Sequence, residues 1–144
     1  MDTRAAASAL AHGFETLTPQ RVADVLALYH PQARFKDPFN EVQGHEAIAQ
    51  IFHHMYRSLE RPHFVVTGQA VDGDQAFLIW EFCFQFRGVR ASELQTVRGA
   101  THLLFDAQGL VTLHRDYWDA AEELYEKLPV LGSLMRWLKA RARG

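Results

Sequence analysis

Cysteine is almost missing from this chain. Cys83 stands alone, so no internal disulfide can staple the fold. No stretch approaches the roughly 20 apolar residues that a bilayer-spanning helix needs, which excludes an integral helical membrane protein. The chain does not open on the basic, apolar and small-residue succession of a secretory signal, so a cytoplasmic location is expected. Charge of one sign is also scarce. A net charge of −2 without basic and aromatic interleaving gives no field for nucleic acid, which is excluded as a partner. Gly-rich phosphate loops and the motifs of Ser or Cys nucleophiles are absent as well. His53 and His54 are adjacent on a helical stretch, with His45 upstream. Neighbours on a helix point about 100° apart, so no metal site is expected from them. Nothing in the residues asks for a cofactor.

What is present is an ordinary globular composition, 48% hydrophobic and 22% charged, with aromatics enough to line a cavity. The 144 residues suit one domain that buries roughly two thirds of its unfolded surface. Thr3 to Thr16 is alanine-rich and spaces Ala6, Leu10, Phe14 and Leu17 as one apolar helical stripe. Thr18-Pro19 starts a second helix, with Val22, Val25, Leu26 and Tyr29 on its buried face and His30-Pro31 at its end. The stretch Ala33-Arg34-Phe35-Lys36-Asp37-Pro38-Phe39 reads as a short strand. Proline pushes its predecessor toward extended geometry, so Asp37 should end that strand and project its carboxylate where the sheet opens. Asn40 to Gly44 is then a turn, and His45 to Leu59 a helix with Ile48, Ile51, Phe52, Met55 and Leu59 inward, broken by Arg61-Pro62.

The period then changes from helical to alternating. His63 to Val71, Ala76 to Phe86, Leu94 to Phe105 and Leu110 to Trp118 read as antiparallel strands joined at Asp72-Gly73-Asp74, Gly88 and Asp106 to Gly109. Along Ala76 to Phe86 one face carries Leu78, Trp80, Phe82, Phe84 and Phe86, which should meet the helices. The other carries Phe77, Ile79, Glu81, Cys83 and Gln85, as expected of a face that is solvated or meets another subunit. On the last strand Thr112, His114, Asp116 and Trp118 share a face, and Val111 and Leu113 would cover the outer one. His114 and Asp116 either pair in solvent or look into the same cavity as Asp37. Two short tail helices, Ala120 to Leu128 and Leu131 to Ala142, follow around Pro129. The second sets Leu131, Leu134, Met135 and Leu138 against Arg136, Lys139, Arg141 and Arg143, and packs its leucines on the domain, caps the cavity mouth, or lies on a membrane surface. Helices gathered on one face of an antiparallel sheet make an α+β fold.

The Ala33-x-Phe35-x-Asp37-Pro38 strand followed by Gly44 and a helix, and the Gly109-x-Val111 strand ending in His114-Arg115-Asp116, resemble the nuclear transport factor 2-like superfamily. The likeness is to its ketosteroid isomerase and SnoaL-like polyketide cyclase branches and spans about residues 5–118, leaving about 119–143 as an extra tail. It implies a cone-shaped barrel, a curved sheet wrapped around the helices with an apolar cavity at its mouth, and a homodimer packed through the outer sheet face. Asp37 falls where the isomerase base lies, but that family's tyrosine and protonated-aspartate donors are met here by Phe14 or Gly13 and by Thr101. A base without its oxyanion hole forfeits transition-state stabilisation, which argues against steroid isomerisation itself. Asp116 corresponds to the acid/base aspartate of the cyclase branch, whose histidine on the preceding strand finds its nearest match in His102, a residue that turns outward if Thr101, Leu103 and Phe105 face in.

The expected chemistry is therefore proton transfer on an apolar small molecule, of isomerase, cyclase or hydrolase type. Asp37 would be the base, and Asp116, held by His114, the partner acid. Phe14, Tyr29, Phe52, Met55 and Trp80 would line the substrate site, together with Phe82, Phe84, Thr101, His102 and Trp118. The alternative is a non-catalytic module that uses the same cone to hold an apolar ligand or to dimerise.

Overall fold

In the computed structural model, residues 1–88, 93–123, 137–138 and 140–143 are described. Helix α1 (Thr3–Glu15) starts where the Asp2 side chain accepts a hydrogen bond from the Ala5 amide, a side-chain N-cap. It buries Ala7, Leu10, Ala11 and Phe14. A single 3₁₀ turn (Pro19–Arg21) leads into the short α2 (Val22–Leu26). Strand β1 (Tyr29–Lys36) and strand β2 (Glu41–Gln43) form a hairpin, and α3 (His45–Ser58) follows from Gly44. Then come β3 (Leu59–Asp72), β4 (Gln75–Phe86), β5 (Leu94–Phe105), β6 (Val111–Tyr117) and α4 (Ala120–Glu123).

The strands make one six-stranded sheet in the order β2-β1-β6-β5-β4-β3, with α1 packed over β3 and β4 and α3 over β1 and β3. The α+β class and the curved sheet around the helices are as expected. Two details differ. The β1–β6 pair is parallel, so the sheet is mixed, and β2 and β3 remain edges, so the barrel is not closed.

Tertiary pairing overrides local pattern in the segment that follows α2. Tyr29, spaced as a helical residue, is instead the first residue of β1, paired with Val111, while the Val111 amide donates to the Leu28 carbonyl at 3.0 Å. Pro31 falls where the β1–β6 register shifts, so its missing N–H interrupts no ladder. The expected Asn40–Gly44 turn contains β2, paired through Arg34↔Gln43 and Lys36↔Glu41. Arg61-Pro62 does not break the chain either. It forms a bulge in a strand that begins at Leu59, with Arg61 in the left-handed region at φ 51°.

A further bulge decides which side chains meet. Leu104 pairs with Leu113 and Phe105 with Val111, so Thr112 is the extra residue and alternation resets across it. Val111, expected on the outer face, is therefore buried in the core, and His114 is buried three residues later. On β4 the alternation holds: Ala76, Leu78, Trp80 and Phe84 are buried inside, while Phe77 and Ile79 are exposed outside. The outward Cys83 is nonetheless buried, with Sγ 3.9 Å from the Thr96 hydroxyl. In the tail, residues 124–136 and Lys139, which carry most of the expected second amphipathic helix, lie outside the described residues. Trp137 and Leu138 are helical and exposed, and the Arg141 guanidinium lies 5.2 Å from the Trp137 ring centre.

Gly99 is opposite Trp80 in the β4–β5 pair, and a methyl group there would lie 2.5 Å from the indole. The missing side chain is what lets Trp80 lie flat across β5. Gly99→Ala is expected to lower unfolding stability by about 1–3 kcal/mol through overpacking, read from the urea midpoint. A midpoint equal to that of the unmodified protein would show that Trp80 yields without cost.

Candidate functional site

Helices and sheet enclose a cavity of about 380 Å³. Its wall is aromatic, with Phe14 from α1, Phe52 and Met55 from α3, Trp80, Phe82 and Phe84 from β4, and Trp118 just beyond β6. Those rings line the space without filling it. Phe35, Phe64 and Val97 complete the wall, and Asn40, His54 and Ser58 stand at the rim with Asp37. Phe35 and Phe64 share the alternation that marks Trp80, so the same rule applied to β1 and β3 finds them. His54 and Ser58 are one helical turn apart, 3.2 Å between Nε2 and Oγ, a pairing visible only once the face of α3 is known.

At the floor a chain of hydrogen bonds converges on one carboxylate oxygen. Indole nitrogen only donates, so Trp80 Nε1–H donates to Thr101 Oγ1 at 2.8 Å, and the Thr101 hydroxyl in turn donates to Asp116 Oδ1 at 2.6 Å. His114 Nε2 lies 2.7 Å from the same Oδ1. Its Nδ1 is 2.6 Å from the Tyr29 hydroxyl. An ionised Asp116 only accepts, which places the proton of a neutral His114 on Nε2 and makes Nδ1 the acceptor for the Tyr29 O–H. The imidazole is wedged between Phe14, Tyr29 and Phe35, its ring centre 4.5 Å from that of Phe35. That packing fixes its orientation. The Asp116 side chain is 17% exposed, and Oδ2 meets no donor among the described residues. One oxygen is therefore held by the protein and the other is left to the cavity.

Tyr29 is fully buried behind His114, so it supports the floor rather than lining the ligand space. Burial, and secondarily the Asp116 charge, hold its phenol well above the usual tyrosine range. It stays a neutral donor. His102 stands on the opposite face of β5 from Thr101, stacked on Phe77 at 4.7 Å, with Nε2 2.9 Å from Gln75 Oε1. It is not part of the cavity, because strand alternation that buries Thr101, Leu103 and Phe105 turns it outward.

Asp37 is at the mouth, and the local turn engages both its oxygens. Oδ1 accepts from the amides of Phe39 (2.8 Å) and Asn40 (2.6 Å), and the Asn40 side-chain amide is 3.2 Å from Oδ1 and Oδ2 alike. The Asp37 amide donates back to the Asn40 carbonyl at 2.9 Å. No group of three or more His, Cys, Asp or Glu side chains suited to a metal ion occurs among the described residues, and no described helix is long and apolar enough to cross a membrane.

The SnoaL-like domain model matches residues 10–114. No curated protein matches the sequence. Among solved structures, a protein of ketosteroid isomerase-like fold from Catenulispora acidiphila DSM 44928, in complex with trimethylamine, superposes with a TM-score of 0.70 at 19% identity, covering 83% of this chain and 88% of that one. TerC co-crystallised with polyporic acid gives 0.69 at 17%, covering 83% and 93%. A candidate SnoaL-like polyketide cyclase from Shewanella putrefaciens CN-32 gives 0.67 at 15%, covering 86% and 97%. At these identities the likeness is one of fold.

The Tyr29 bond makes an alkaline prediction. A phenol whose folded pKa is raised keeps the proton that the unfolded chain loses near pH 10, so its contribution is complete below about pH 10 and falls away above it. Burial also raises the partly buried Tyr56, so the fall is shared. Tyr29→Phe should lower stability at neutral pH by about 1–3 kcal/mol, because His114 Nδ1 loses its donor, and should flatten the decline between about pH 10 and 11. Urea unfolding of both proteins across that range checks it. An unchanged alkaline slope would assign the decline elsewhere.

Proposed function

Because the chain belongs to the SnoaL-like domain family, we propose that it is a small-molecule enzyme that moves a proton on an apolar substrate, with Asp116 as the acid–base group. The observation that carries this reading is the split carboxylate: Oδ1 held by Thr101 and His114, Oδ2 facing an aromatic cavity. A base whose position is fixed before the ligand arrives gives proton transfer its geometry. Asp116 Oδ2 takes a proton from a carbon beside a carbonyl, leaving an enolate. Returned to another atom, the proton completes an isomerisation. If the enolate carbon first attacks a second carbonyl, the proton goes to the new alkoxide and a ring closes. His114 keeps Nε2–H on Asp116 throughout, and Tyr29 keeps His114 in that tautomer. The step as written needs only these side chains.

The aromatic wall supports a flat apolar ligand, and the relatives crystallised with trimethylamine and polyporic acid support small-molecule binding by this fold. The exposed outer-face residues Phe77, Ile79, Val65 and Tyr117 support a homodimer through the sheet. Ile79→Arg should then halve the mass measured by sedimentation, and an unchanged mass would remove that interface.

A second reading, a binding module without catalysis, is favoured by one feature. The donors beside Asp116, Trp80 Nε1–H and Thr101 O–H, are both engaged within the network and not directed at a ligand oxyanion. Proton–deuterium exchange of 2-tetralone, a bicyclic aromatic ketone, separates the two. The enzyme reading expects the protein to accelerate exchange beside the carbonyl and Asp116→Asn to lose about 10²–10⁴-fold of that acceleration. Equal exchange by the variant would leave the module.

A further inference from the structure

We infer that Asp37 is a positioning residue: its carboxylate clamps the turn that holds Phe39 edge-on against Trp118, and these two rings form the gate of the cavity. The inference rests on the cavity being the ligand site, and it extends that reading from the floor to the mouth. Four contacts tie the carboxylate to residues 39 and 40, and the backbone of Asp37 closes the same turn. Three donor groups share the one carboxylate, whose oxygens are the acceptors that close the turn. Pro38 fixes the backbone between them, since its ring restricts φ. The clamp therefore fixes the backbone from which the Phe39 ring projects.

What it points is an aromatic ring that is 53% exposed and yet lines the cavity. The Phe39 and Trp118 ring centres are 5.5 Å apart at 75°, the edge-to-face arrangement aromatic pairs prefer. Trp118 stands two residues beyond Asp116, so one side of the gate belongs to the strand that supplies the proposed acid–base group. The other side is carried on the turn that Asp37 closes. A ligand that reaches Asp116 Oδ2 past these rings is shielded from water by the pair, and its escape requires Phe39 to swing away. A swing that carries the backbone of residue 39 with it works against the Asp37 turn.

The test is stopped-flow release of N-phenyl-1-naphthylamine, an uncharged apolar fluorophore, from the full chain and three variants. Asp37→Ala removes the acceptor and should release the dye about tenfold faster, the loss expected when the turn's amides have no acceptor to close on. Phe39→Ala leaves the clamp in place but removes the ring, and should match Asp37→Ala. Asp37→Asn keeps a carbonyl oxygen for both backbone amides, and the Asn40 side chain can invert to meet its new N–H. It should stay within about twofold of the unmodified protein. Release from Asp37→Asn as fast as from Asp37→Ala would overturn the inference, since the charge and not the turn would then matter. So would an unmodified rate in Phe39→Ala, which also covers the case in which Asp37→Ala does not fold. Failure of the unmodified chain to take up the dye would overturn it too. Tetralone exchange by the unmodified chain is read separately: a gate that responds while exchange is absent keeps this inference and removes proton transfer.

Discussion

The arrangement depends on a carboxylate held inside an aromatic cavity. Such a charge is costly unless donors meet it, and Thr101 and His114 both aim at Asp116 Oδ1. Each donor is itself fixed by another group, Thr101 by the indole of Trp80 and His114 by the hydroxyl of Tyr29. The chain thus crosses four strands, from β4 through β5 and β6 to β1. Networks of this kind are worth most when every member is satisfied, and no buried side-chain nitrogen or oxygen lacks a partner among the described residues.

Several irregularities of the fold serve that convergence. The bulge at Thr112 allows Val111 to fill the core and His114 to face the same side three residues on. Gly99 gives Trp80 the room to reach Thr101 across the strand. The departure from helix after Leu26 places Tyr29 on a strand beside β6, where its hydroxyl meets the imidazole. The floor is tied together by these contacts. The mouth is built differently, from a turn tied by one acid and two rings in edge contact. In the proposed function, a fixed floor orients Asp116 and a mouth that can open admits the ligand.

Much of this was legible in the residues. Strand alternation placed Trp80, Phe82 and Phe84 on the wall, and the shared face of His114 and Asp116 brought them together beneath it. Other features depend on long-range pairing that no local pattern carries. Tyr29 has helical spacing and becomes a strand residue because Val111 pairs with it. Val111 itself is assigned to the wrong face by strict alternation, since a bulge is one residue that alternation does not foresee. The parallel β1–β6 pair is likewise a consequence of sheet order and not of either strand's composition. Asp37 is a different case. Asp-Pro-Phe-Asn is turn chemistry as well as a strand end, an acid whose side chain caps amides two and three residues on.

The direction of the hydrogen-bond chain is the central point, because it decides whether Asp116 is an ionised carboxylate whose unheld Oδ2 can take a proton. Nitrogen-15 NMR of the His114 imidazole at pH 8 reads it directly. The expected result is a proton on Nε2 and a bare, hydrogen-bond-accepting Nδ1. A ring protonated on Nδ1 alone would make Tyr29 the acceptor, require Asp116 Oδ1 to donate a proton to Nε2, and so contradict Asp116 as the proposed base.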